Sequence, residues 1–340
     1  MNKLYACLNS YFEQDDVQNI AIRVGNREKV LCDIYRYKNN PIDSLTLFDM
    51  ASVTKIIATT TLALLAIDNK LFNTDDLVSK FFNVPENKKR MSIKNLLTHT
   101  MGIGYKYLYN ENVNYDNIQD YVLNIPSDFE IGTEVSYSCP GYILLGKILE
   151  KVFEDRLDRL FDKCVAKPLC MKNTSFLPEK SNKFVNSNLA LTDAGVVNDN
   201  NCRFLGGIAG NAGLFSNMDD ICKYVGMLLN YGSPIISRET FNMSIENYTS
   251  ELKESRGLGF LYVDEKYKQT GKLFSEGSIG HCGHTGQSVF VDLKSGLYVI
   301  ILSDATVSTI KKYSGERYDI VTKMREDIHN AICNDLNSIL

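Results

Sequence analysis

The sequence predicts an α/β (α+β) fold in which an antiparallel sheet is flanked by helices at both termini and carries an inserted all-helical lobe. Three observations predict it. Alternating apolar and polar residues mark strands near each end of the chain. Apolar residues at helical spacing mark both termini. From about residue 76 to 200 the chain reads as helices separated by polar, Asn- and Tyr-rich loops. The α/β part is therefore expected to be discontinuous, over 1–75 and 205–340, with the helical part over 76–204. The active site is expected where the two meet, since ligand sites favour such interfaces.

The elements follow in order. MNKLYACLNSYFEQDD reads as an amphipathic helix and lacks the apolar core and cleavage site of a signal peptide. NIAIRVG and KVLCDIYRY flank the turn Gly25-Asn26-Arg27-Glu28 and predict a hairpin. Residues 56–67, IIATTTLALLAI, form an apolar helix too short to span a bilayer. SIKNLLTH and PGYILLGKILEKVF are helical, the second started by Pro140 at its first position. SVFVDL and GLYVIILSD flank Lys294-Ser295-Gly296 and predict a second hairpin with a buried strand. Ile320, Met324, Ile328, Ile332 and Leu336 then recur every four residues, one face of a long C-terminal helix.

Bulk properties narrow the function. With 44% hydrophobic and 23% charged residues in 340, the chain has the composition of an ordinary globular protein. A formal charge of −4 provides no basic footprint, so neither nucleic acid nor an anionic membrane is an expected partner. Nine scattered cysteines without a Cys-x-x-Cys pair fit a reducing compartment rather than a disulfide framework or structural zinc. A cytoplasmic location is expected, and no metal or organic cofactor.

The candidate chemistry begins at Ser52-Val53-Thr54-Lys55. Residues three apart share a helix face, and an amine held beside a hydroxyl activates a nucleophile. Ser-x-x-Lys occurs three times, at Ser52, Ser250 and Ser308 with Lys55, Lys253 and Lys311, but only Ser52 opens a long apolar helix. In TEVSYSCPGYILLGKILEKVF, Tyr137 precedes a helix; a tyrosine near a lysine is held as phenolate, or shares its proton, and serves as general base. In SIGHCGHTGQSVFVDL, a Gly- and His-rich turn adjoins a strand whose N–H groups suit an oxyanion. The glycine-rich run RFLGGIAGNAGLFSNMDDI suggests close backbone packing beside a cleft.

Together these segments resemble the serine β-lactamase and penicillin-binding protein superfamily, nearest to the β-lactamase-related serine hydrolases of class C type. The likeness runs in order through LFDMASVTKIIATT, LLTHTMGI, YSCPGYILLGKILE, GGIAGNAGLFSNMDDI and GHCGHTGQSVFVDLKSGLYVIILSD. It implies a β-lactamase/transpeptidase-like fold, with Ser52 as acylated nucleophile, Lys55 as its activating partner and Tyr137 as general base. His281, Cys282 and Gly283 take the place of the Lys-Thr-Gly or His-x-Gly strand motif, with His281 in a catalytic position. The backbone N–H groups of Ser52 and His284 form the implied oxyanion hole. A second frame, His284-Thr285-Gly286, is open, although the distance to Asp292 favours His281.

The chain departs from the family pattern at two places, with Cys139 where Asn or Asp is usual and Cys282 where Thr is often found. Weak thiol donors thus replace groups that bind the amide and carboxylate of β-lactams. Cys139 is expected either simply to fill the space where Asn is usual or, at a helix N-terminus near Lys55, to carry a thiol more acidic than a free cysteine. The expected activity is serine hydrolysis of a small ester, amide or peptide through a Ser52 acyl-enzyme. A D-amino-acid-directed peptidase acting on cell-wall peptides is the alternative within the family, and a non-catalytic binding or sensor module the alternative outside it. The sequence leaves the oligomeric state open.

Overall fold

In the computed structural model, which describes residues 1–108, 110–180, 182–186, 194–305 and 316–338, strands from opposite ends of the chain pair into one sheet. The first hairpin is β1 (Asn19–Gly25) with β2 (Val30–Tyr37). Three short strands, β3 (Phe48–Asp49), β4 (Ser175–Phe176) and β5 (Leu214–Ser216), form a separate sheet in the order β3-β5-β4. β6 (Leu261–Tyr262), β7 (Ile279–Cys282), β8 (Ser288–Val291) and β9 (Tyr298–Ser303) complete the main sheet, ordered β2-β1-β9-β8-β7-β6. All its neighbours are antiparallel, and Ile20 of β1 lies opposite Ser303 of β9.

Period-two alternation decides what each face of this sheet touches. Ile20, Ile22 and Val24 of β1 and Val299 and Ile301 of β9 face the N- and C-terminal helices, Asn2–Glu13 and Glu316–Asn337. There they meet Leu4, Leu8 and Phe12 from one helix and Met324, Ile328 and Ile332 from the other. Ala21, Ile300 and Leu302 point the opposite way, into the larger core. Because both faces are covered, the β9 sequence YVIILS is apolar almost throughout rather than alternating. The carboxylate of Asp335 ties the termini together by accepting from the N–H groups of Lys3 and Leu4 at 3.0 and 2.9 Å.

The middle of the chain supplies helices Ile93–Leu97, Ile118–Asn124, Cys139–Phe153 and Leu157–Phe161. It is not wholly helical, because β4 lies within it; two residues are too few to carry a period that sequence reading would detect. The stretch Ala51–Asp68 is apolar enough over 18 residues to pass for a membrane span, yet 78% of it is buried inside the fold. It is the central core helix, and it is irregular. A 3₁₀ turn at Ala51–Val53 leads into π-helix at Lys55–Thr60 and then α-helix at Thr61–Asp68. The cause lies in the side chains: the Ile56 carbonyl accepts from both Thr61 Oγ1 and Tyr224 OH at 2.9 Å, which opens the regular ladder.

Asp49, at the end of β3, fixes where that helix begins. Its buried carboxylate accepts from the N–H groups of Ala51 (2.8 Å) and Asn198 (2.6 Å), and its carbonyl accepts from Gln287 Nε2 at 2.6 Å. Ala51 is thereby held at φ 45°, in the left-handed region that costs a non-glycine residue energy. Burial pushes the Asp49 carboxyl up to about 6, against the lowering effect of those two N–H donors. A carboxyl raised in the folded state favours folding when protonated, so its contribution falls as pH rises from about 4 to about 6. Relative to an Asp49→Asn variant, wild type is expected to lose roughly 3 kcal/mol of stability over that interval. Denaturant unfolding of both proteins at pH 4 and pH 7 measures this; an unchanged difference would contradict the assignment.

Candidate active site

The irregular start of the core helix sets the reactive geometry. Ser52 lies in the 3₁₀ turn, half-buried, and Lys55 is the first residue of the π-helical segment, with no exposed surface. Lys55 Nζ is 3.0 Å from Ser52 Oγ, 2.9 Å from the carbonyl of Asn211 and 3.7 Å from Cys139 Sγ. Its Nζ also lies over the rings of Tyr137 and Tyr142, 4.7 and 5.6 Å from their centroids. Asn211 belongs to the glycine-rich run, and the expected close approach is seen there. A Cβ on Gly210 would stand 2.0 Å from the carbonyl oxygen of Tyr142, so only glycine lets this loop reach Lys55. The Gly210 carbonyl in turn accepts from Thr59 Oγ1 at 2.6 Å.

Tyr137 places its hydroxyl 2.5 Å from Ser52 Oγ. It stands just before the helix Cys139–Phe153, whose N-cap is Ser138, with Pro140 in the first turn. Beneath it lies His99, a residue that sequence reading passed over within LLTHTMGI. His99 Nδ1 accepts from the Ser138 N–H at 3.0 Å, and its ring contacts those of Tyr137 and Tyr142 at 4.8 and 5.0 Å between centroids. Burial, with Arg256 and Lys55 nearby, holds His99 well below the usual histidine range, so it stays neutral and braces Tyr137 by its ring.

The opposite wall is the edge of β7. His281 and Cys282 lie on the strand, while His284, Thr285 and Gly286 lie in the turn after it, which favours the first of the two frames. Gly283 has a steric reason: a Cβ there would lie 2.9 Å from the Met50 carbonyl oxygen and 3.4 Å from Ala51 Cβ. His281 Nδ1 is 2.8 Å from the Cys282 carbonyl, and its buried Nε2 has no hydrogen-bond partner. None of its hydrogen bonds among the described residues reaches Ser52, Lys55 or Tyr137. Burial, with Arg256 and Lys55 nearby, keeps it neutral as well. Cys282 Sγ pairs with Tyr267 OH at 3.2 Å. Ser52, Tyr137, His281, Cys282, Gly283 and His284 share a cleft of about 290 Å³.

Two expectations are corrected. Cys139 is the first helical residue and lies beside Lys55 as anticipated, but burial outweighs the lysine and the helix end and pushes its thiol up rather than down. Tyr137 is not a resting phenolate, since burial and the neighbouring Cys139 drive its hydroxyl well above the usual phenol range. Of the other Ser-x-x-Lys pairs, Ser250 and Lys253 are exposed in a turn, and Ser308 and Lys311 lie outside the described residues. Sequence reading also missed Arg256, Tyr267 and Arg325, which line the same cleft. They come from segments with no local motif, and only the fold brings them together.

Known proteins share this fold. The β-lactamase family model matches residues 6–318. An Escherichia coli O157:H7 protein named "Putative D-alanyl-D-alanine carboxypeptidase" is 30% identical over 312 residues, covering 78% of this chain and 70% of that protein. Among solved structures, the class C β-lactamase from Rhodobacter sphaeroides superposes with a TM-score of 0.76 at 17% identity, covering 98% of this chain and 99% of the other. EstCE1, described as a hydrolase with promiscuous acyltransferase activity, gives 0.73 at 18% identity, covering 96% and 98%. The antiparallel sheet, the helices around it and the matched length agree with these relatives, and the chain belongs to the β-lactamase family of serine hydrolases.

Proposed function

We propose that this enzyme hydrolyses a small ester or amide through an acyl-enzyme on Ser52. The observation that carries the reading is the position of Ser52 Oγ, 3.0 Å from Lys55 Nζ and 2.5 Å from Tyr137 OH, on the wall of the cleft. Ser52 Oγ attacks the substrate carbonyl while its proton passes to Lys55, which enters the cycle as the unprotonated amine, with the Tyr137 hydroxyl hydrogen-bonded to Ser52 Oγ. The backbone N–H groups of Ser52 and His284 receive the oxyanion. As the carbonyl re-forms, the bond to the leaving oxygen or nitrogen breaks and the Lys55–Tyr137 pair returns the proton to that atom. Water then attacks the acyl-enzyme, giving up its proton to the same pair, and Ser52 leaves with a proton as the acid departs.

His281 contributes a neutral, desolvated face rather than a proton relay, and the Tyr137 phenol enters the cycle protonated. Cys139 and Cys282 offer weak donors where β-lactam-handling relatives carry amide and hydroxyl groups. This favours simple esters over lactams. The name of the Escherichia coli relative supports a second reading, a D-amino-acid-directed carboxypeptidase using the same acyl-enzyme.

Intact-protein mass spectrometry with a fluorophosphonate tests the nucleophile. Ser52→Ala is expected to abolish labelling and to lower ester turnover by roughly 10³-fold or more; labelling at the wild-type rate would reject Ser52. Lys55→Ala and Tyr137→Phe are each expected to cost about 10²- to 10⁴-fold in kcat, with far less than additive effects when combined. Near wild-type kcat in either would reject its role. Aryl acetates are expected to exceed cephalosporins in kcat/KM, and Cys139→Asn to raise cephalosporin turnover by about 10-fold, the worth of one good hydrogen bond. No change in that variant would exclude Cys139 as the limit on lactam recognition. Iodoacetamide near neutral pH is expected to spare buried Cys139 while exposed Cys170 reacts, as read by peptide mapping; early loss of Cys139 would show that its thiol is activated after all.

A further inference from the structure

The Asn211 carbonyl that accepts from Lys55 Nζ at 2.9 Å is itself held from behind. Asn211 is fully buried, and its side-chain amide donates through Nδ2 to Asp199 Oδ1 at 3.0 Å. The same carboxylate oxygen caps the short helix Asn200–Phe204 by accepting from the Cys202 N–H at 2.8 Å. The residues on either side of Asp199 are fixed as well. The Asn198 N–H donates to the Asp49 carboxylate at 2.6 Å. Asn201, with no exposed surface, accepts from the Leu108 N–H and donates to the Lys106 carbonyl, both at 2.9 Å. A carboxylate thus sits one asparagine away from the buried lysine, tied both to Asp49, which sets the start of the core helix, and to Asn211, which receives the amine.

We propose that Asp199 is a positioning residue for Lys55: from behind Asn211 it fixes the carbonyl that receives the amine, and its negative charge offsets the ammonium formed when Lys55 takes the Ser52 proton. The inference rests on the proposed hydrolase reading and adds a residue to it. In the acylation step the Ser52 O–H bond breaks, a Lys55 N–H bond forms, and a positive charge appears on an amine with no exposed surface. Fixed charges and dipoles placed beforehand stabilise such a developing charge without reorganisation. A carboxylate in direct contact with the amine would favour its protonated form before the reaction began. One residue back, Asp199 stabilises the ammonium and leaves the amine free to start each cycle unprotonated, while gaining and losing no proton itself. Its field reaches the groups around Lys55. Burial does most to raise the Tyr137 hydroxyl and the Cys139 thiol, and the Asp199 charge raises both further.

The test separates charge from framework. Asp199→Asn removes the charge but keeps an oxygen where Asn211 and the Cys202 N–H donate, whereas Asp199→Ala removes both. With 4-nitrophenyl acetate, Asp199→Asn is expected to lower kcat about 10-fold with KM within about twofold, and Asp199→Ala to lower kcat further. A double-mutant cycle then asks whether the loss runs through Lys55, by following the rate at which a fluorophosphonate labels Ser52 in intact-protein mass spectrometry. Asp199→Asn is expected to slow labelling about 10-fold when Lys55 is present and less than about twofold in a Lys55→Met background, where no ammonium forms. Should Asp199→Ala fail to fold, Asp199→Asn carries the test alone, since the same variant is compared with and without Lys55. Wild-type kcat in Asp199→Asn overturns the inference. So does an equal loss in both backgrounds, which would make Asp199 a structural residue only. If the wild-type protein neither takes the fluorophosphonate at Ser52 nor turns over the ester, the hydrolase reading fails and this inference with it. If it does both and the cycle shows no coupling, the hydrolase reading stands and the role given to Asp199 is wrong.

Discussion

The structure turns on a lysine amine taken wholly out of water. Lys55 has no exposed surface and, among the described residues, no carboxylate beside it; its partners are Ser52 Oγ, the Asn211 carbonyl, a thiol and two aromatic faces. A buried amine in such a place is expensive unless its hydrogen bonds are met, and much of the surrounding architecture reads as the means of meeting them. The glycine-rich run approaches closely enough to offer a carbonyl, and the π-helical start of the core helix directs the amine toward the serine. His99 holds Tyr137 against its other side. The small sheet β3-β5-β4 anchors both ends of this arrangement, since Met50 donates its N–H at 2.9 Å to the carbonyl of Leu214, the first residue of β5, which closely follows Asn211 in the chain.

What the sequence made legible is what local pattern encodes. Both hairpins, the apolar β9 strand and the terminal helices follow from periods of two and four residues. Ser52 and Lys55 stand out because only their Ser-x-x-Lys opens a core helix. Less visible are groups whose contribution is made by the backbone. The Asn211 carbonyl carries no residue signature, and Arg256 and Arg325 belong to segments far apart in the chain. The acidity expected for Cys139 failed for a definable reason: a helix end and a cation were weighed, but the desolvation of a residue that is 1% exposed outweighs both. Tyr137 repeats the lesson, since a neighbouring lysine does not make a phenolate where the site is dry.

The cysteines therefore act as fillers with chemical consequences. At 3.7 Å from Lys55, Cys139 occupies space in the proton network without competing as a strong acceptor. Cys282 pairs with the Tyr267 hydroxyl, on the same cleft wall, rather than with Ser52, Lys55 or Tyr137. Guanidinium groups of Arg256 and Arg325 stand elsewhere on the same cleft wall, so its charged lining and the Ser52–Lys55 pair come from different elements of the fold.

That division bears on how the enzyme matures. Ser52 and Lys55 emerge early in synthesis, but the wall opposite them is β7, and the strand closing the sheet against β1 is β9, some 280 residues later in register. Arg325 comes later still, on the helix whose Asp335 secures the first residues of the chain. Contacts this distant in sequence form slowly and late. A nascent chain that has already made Ser52 and Lys55 therefore holds that pair before the strand that walls their cleft has been made.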